Sequence, residues 1–68
     1  MIRLLEAERH VAETHALIER QRRLIEELAS EGHSITSEHI VFDSLCVSLS
    51  LHVQNRNRLR TQLNVKAA

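Results

Sequence analysis

The sequence predicts an all-α protein, an antiparallel two-helix hairpin expected to dimerise into a four-helix bundle. Leu4, Val11, Ile18 and Ile25 recur every seven residues, the spacing of a helix seam. Gly32 is the only glycine and there is no proline, so Glu31-Gly32-His33-Ser34 is the one place where the chain asks to leave a helix. Beyond that point apolar residues occupy two sides of a second helical stretch, and a helix that is apolar on two sides is covered on both.

The first arm, residues 2–31, fills its heptads with Ala7, Thr14, Gln21 and Leu28 between the large apolar positions, giving a strong row and a weak row. Leu17 and Leu24 widen the stripe on one side. The remainder is mostly Glu, Arg, Gln and Ala, all good helix formers. Arg9–Glu13, Glu19–Arg23, Arg22–Glu26 and Arg23–Glu27 are spaced for pairs one turn apart.

Residues 32–36 form the turn. Gly32 suits the left-handed position that ends a helix. Ser34 or Thr36 can cap the second helix, with Thr36 preferred because Ile35 and Ile40 would then form a hydrophobic staple. So short a connection makes the two helices antiparallel neighbours.

The second arm, residues 37–64, carries a local contradiction. From Ser44 to Val53, Leu45, Val47, Leu49, Leu51 and Val53 alternate with polar or small residues, the period of a half-buried strand. No second strand is present to satisfy its backbone, which favours helix. Read as a helix, Phe42, Leu45, Leu49, His52, Leu59 and Leu63 make one stripe, facing the first arm. Ile40, Val47 and Leu51 make another, the expected dimer interface, where Ser44, Cys46 and Ser48 are small enough for close approach. The expected hairpin core is therefore Leu4, Val11, Ile18, Ile25, Leu28, Phe42, Leu45, Leu49 and Leu59, with Gln21 and His52 as a polar layer. A turn centred near residue 35 sets Ile25 against Leu45, Gln21 against Leu49, Ile18 against His52, Thr14 against Arg56 and Val11 against Leu59. A frayed tail is expected past Leu63.

Several stretches resemble a set of short, uncharacterised bacterial helical-hairpin proteins. The matching residues are Glu8-Arg9-His10-Val11-Ala12-Glu13, Arg20-Gln21-Arg22 with Ile25 and Leu28, Gly32-His33 at the turn, and Leu51-His52-Val53 with Arg56, Arg58 and Leu59. The resemblance implies helix across Ser44–Val53, where this sequence departs from that set with its serines and Cys46. It implies no activity.

Composition bounds the function. Sixty-eight residues make one domain at most, and 43% hydrophobic residues are too many for a disordered tail. One Phe, with no Trp or Tyr, leaves an aliphatic core. In a chain this short such a core rarely supplies more than about 3–5 kcal/mol, and pairing with another chain supplies the rest. Nine basic and nine acidic residues cancel, so no overall field draws the protein to nucleic acid or to an anionic membrane. All nine carboxylates lie at or before Asp43, and in a hairpin Glu6, Glu8 and Glu13 would lie beside Arg56, Arg58 and Arg60. No uncharged run is long enough to span a bilayer, and the single cysteine, Cys46, suits a reducing compartment, so a cytoplasmic location is expected.

Candidate chemistry is sparse. His10 and His15 are five apart and do not share a helix face as a zinc-binding pair one turn apart does. His15 and His52 could approach across the hairpin, but only a dimer could complete four ligands, so no metal site is expected. Cys46 lies mid-helix with no neighbouring base to activate it. Glycine-loop phosphate motifs are absent. No catalytic residue and no cofactor are expected, and the sequence reads as a non-enzymatic interaction or scaffold module, a homodimer with a further protein partner. The alternative is a dimeric RNA- or DNA-binding bundle using Arg56, Arg58 and Arg60.

Overall fold

A computed structural model describes the backbone of residues 2–67 and the side chains of residues 3–65. Helix α1 spans Ile2–Ser30 and helix α2 spans Thr36–Ala67, packed side by side as an antiparallel hairpin. The hairpin is a rod of 56 × 14 × 13 Å.

The turn closes α1 by a Schellman motif. The His33 N–H donates to Leu28 C=O at 3.0 Å and the Gly32 N–H to Ala29 C=O at 3.1 Å, satisfying carbonyls that the helix end would otherwise leave free. Gly32 takes φ +81°, the left-handed value this geometry requires. A Cβ there would meet nothing within 4 Å, so the penalty for a side chain is backbone strain alone. Gly32→Ala is expected to cost about 1 kcal/mol. A thermal melt should show a drop of roughly 4–8 °C, with Gly32→Asn losing less because Asn tolerates the left-handed region.

The start of α2 differs from expectation. The first helical bond runs from His39 N–H to Ile35 C=O at 2.9 Å, so Ile35 holds the capping position and Thr36 is already inside the helix. Ile40 points to solvent, and the Ile35–Ile40 staple does not form. At the other end α2 runs to Ala67.

Ser44–Val53 is helical throughout. Leu45, Ser48, Leu49 and His52 turn toward α1 while Cys46, Val47, Ser50 and Leu51 face solvent. The alternating pattern was two helical stripes overlaid, and with no partner strand the backbone satisfied itself locally.

The core is one seam deep. Ala7, Val11 and Thr14 are buried, at 2%, 6% and 6% exposure. Leu4, Ile18, Ile25 and Leu28 of α1 and Phe42, Leu45, Leu49 and Leu59 of α2 are half-buried, because two helices cover each other on one side only. The small residues go deepest, since a short side chain lets the backbones close over it. Thr14 keeps its hydroxyl satisfied inside the seam by donating to His10 C=O at 2.8 Å.

Two contacts between the helices also differ. The His52 ring lies 5.3 Å from that of His10, eight residues and about two turns nearer the start of α1 than Ile18, the residue expected opposite it. Gln21 does not join it, but donates from Nε2 to Glu38 C=O at 3.0 Å, near the turn. The expected Gln21–His52 layer is therefore two separate polar contacts, one in each half of the rod. The long side chains of Glu8 and Arg60 still meet close to the expected register, so the difference is confined to the histidine and glutamine contacts.

Candidate functional site

Two heptad rows build one long side of the rod. On α1, Arg3, His10, Leu17 and Leu24 recur every seven residues; on α2, Val41, Ser48, Asn55 and Gln62 do the same. Each row keeps to one side of its helix. Where the rows flank the seam they line two clefts. The cleft nearer the turn is formed by Leu17, Leu24, Val41 and Leu45 with Arg20 and Gln21. The cleft at the open end includes Arg3, Glu6, His10, Asn55, Arg58 and Gln62. A further depression over Leu51, Gln54, Asn55 and Arg58 runs along the shoulder of α2 between them. The side is thus apolar toward the turn and polar toward the open end.

On the outer shoulder of α2 stand Ile40, Val47 and Leu51, with 62%, 62% and 60% of their surface exposed. Leu17, Leu24 and Val41 are also exposed and extend this apolar surface across the groove to α1. Sequence reasoning placed the interface on α2 alone. Leu17 and Leu24 continue the Arg3–His10 row, which puts them on the same side of the hairpin as Val41.

The three arginines of the C-terminal run do not act as one patch. Arg56, half-buried, reaches Asn57 Oδ1 at 3.3 Å. Arg58 donates to Asn55 Oδ1 at 3.0 Å and lines the open-end cleft. Arg60, on the opposite side of the hairpin, pairs with Glu8 at 2.9 Å across the two helices. Of the three acidic residues expected beside the basic run, Glu8 is the one that pairs with it.

Other charges stay on exposed helix surface. Arg22 binds Glu19 at 2.9 Å and also Glu26, taking the place expected for Arg23 beside Glu19. The hydrogen bond and charge of Arg22 hold the Glu19 carboxyl below its ordinary value, and the same pair raises Arg22. Arg9 and Glu13 approach to 3.6 Å. Exposed pairs of this kind add little stability.

His52 approaches His10 and not His15, so the expected cross-hairpin histidine pair involves a different partner. Among the described residues no three His, Cys, Asp or Glu side chains gather as a metal site requires. Cys46 is exposed. No helix of the described residues is long and apolar enough to cross a membrane.

These features define a small all-helical hairpin with one two-toned side. Comparison with protein-family models, curated proteins and solved structures finds no match for the chain.

Proposed function

We propose that the protein is a non-enzymatic helical interaction or scaffold module that works as a homodimer, two hairpins pairing into a four-helix bundle. The observation that carries this reading is the amount of apolar surface one hairpin leaves uncovered. Ile40, Val47 and Leu51 lie open on α2, and among the described residues no side chain is fully buried. Size gives a second measure. The chain exposes 5256 Å², whereas a compact monomer of its mass exposes about 4,400 Å². The excess, roughly 900 Å², is close to the ~800 Å² that one partner contributes to a standard interface. Its radius of gyration, 16.1 Å, likewise exceeds the ~11 Å of a compact domain of this length. Pairing would cover the exposed shoulder and leave the charged outer faces of both hairpins free to dock another protein.

Light scattering over a range of concentrations tests the assembly. The expected particle has twice the 7.8 kDa chain mass. A stable, fully helical 7.8 kDa monomer across that range overturns the proposal.

A further inference from the structure

We infer that the two hairpins pair with their turns at the same end, related by a two-fold axis parallel to the rod, so that α1 of each lies over α2 of the other. This deepens the homodimer reading and rests on it.

The argument is the two-toned side. A two-fold axis along the rod lays each cleft on its own copy in the partner. The cleft of Leu17, Leu24 and Val41 then meets the same apolar cleft, with Leu17 and Leu24 of one chain over Val41 and the small Ser44 and Ser48 of the other, and with Leu51, Ile40 and Val47 of each chain covered along its edge. Large side chains opposite small ones is the arrangement that lets helices interdigitate. An axis across the rod, with the hairpins fully overlapped, would instead press the apolar cleft against the open-end cleft of Arg3, Glu6 and Arg58. That leaves apolar surface against charge and charge without water.

The open end points the same way. Glu6 and Arg58 line one cleft, and among the described residues no ion pair joins them within the chain. Under the parallel axis Glu6 on α1 of one chain lies over Arg58 on α2 of the other, and the symmetry makes this contact twice. Acidic surface meets basic surface at one end, apolar meets apolar at the other. The assembly stays as long as a single hairpin, 56 Å, and gains only thickness.

Two measurements test this. Spin labels at Asn64→Cys, in a Cys46→Ser chain, report the distance between open ends. Parallel pairing predicts a separation under about 30 Å, since neighbouring helix axes in a bundle lie roughly 8–10 Å apart and the labels add their own reach. A dimer whose labels lie near 56 Å or farther apart overturns the orientation and leaves the dimer standing. Loss of any inter-chain signal together with a 7.8 kDa mass overturns the dimer reading itself. Charge reversal supplies the second test. Glu6→Arg and Arg58→Glu should each weaken self-association, by about threefold to tenfold for a pair of rim contacts. Mixing the two variants should restore it as a heterodimer. Failure of the mixture to associate better than either variant overturns the contact between chains.

Discussion

Val47→Glu is expected to halve the particle mass and to weaken self-association by about a thousandfold or more. Val47 is open to solvent in the single hairpin, so within one chain the carboxylate has no cavity to create and no partner to lose. In a two-fold dimer the substitution acts twice. Burying a valine is worth about 1.5 kcal/mol or more, so losing two removes about 3 kcal/mol before the charge is counted. Desolvating two carboxylates without partners adds to this, and each 1.4 kcal/mol is a factor of ten in the dissociation constant. Leu51→Glu should behave alike. Ala16→Glu, on exposed surface of α1 away from the seam, should leave the mass unchanged. If two hairpins pair as proposed, the partner contributes to stability, and circular dichroism read alongside the mass should show lower helicity or a lower melting temperature in the Val47 variant. A Val47→Glu protein with the mass and melting temperature of the parent would show that this shoulder is not an interface.

Ala7→Leu is the counterpart test of the seam inside one hairpin. Ala7 is the most buried residue described, 2% exposed, beside the cleft that Leu59 also lines. Three added heavy atoms must either push out into that cleft or part the helices. Overpacking of this kind costs about 1–3 kcal/mol, a large share of what an aliphatic core in so short a chain provides. Urea denaturation should show the midpoint falling accordingly, while Ala12→Leu, on exposed surface of the same helix, should leave it nearly unchanged. An unchanged midpoint for Ala7→Leu would mean that the backbones do not approach closely there.

The contrast between these two sites shows what was legible in the sequence. The seam of α1 could be read directly, because heptad spacing is set by helix geometry and does not depend on the partner. The turn could be read too, since a lone glycine after an uninterrupted helical run has few other uses. The depth of each position could not. Ala7 and Thr14 look like the weak row by size, yet Ala7 is the deepest described residue and Thr14 is as buried as Val11, because small residues let the helices come close. The His52 contact was missed for a related reason. Sequence spacing fixes which residues share a face, whereas the pairing of His52 with His10 is made across the two helices. The Ser44–Val53 stretch could be resolved only by asking where its backbone hydrogen bonds would go. The exposed shoulder of α2 was visible as a second stripe, but its continuation onto Leu17 and Leu24 needed the two helices set side by side.

The Schellman turn also sets an order of events in time. Among the described residues the long-range contacts join α1 to α2, so each contact closes a loop whose length grows steadily with distance from Gly32. Leu24 and Val41 enclose a short loop near the turn, whereas Glu8 and Arg60 are 52 residues apart. Closing entropy rises only logarithmically, about 0.6 kcal/mol for each doubling of the loop, and once the turn-proximal residues have met, the next layer encloses little additional freedom. Loop closure alone thus favours first contact near the turn, with the buried Ala7, Val11 and Thr14 layers and the Glu8–Arg60 pair closing the longer loops.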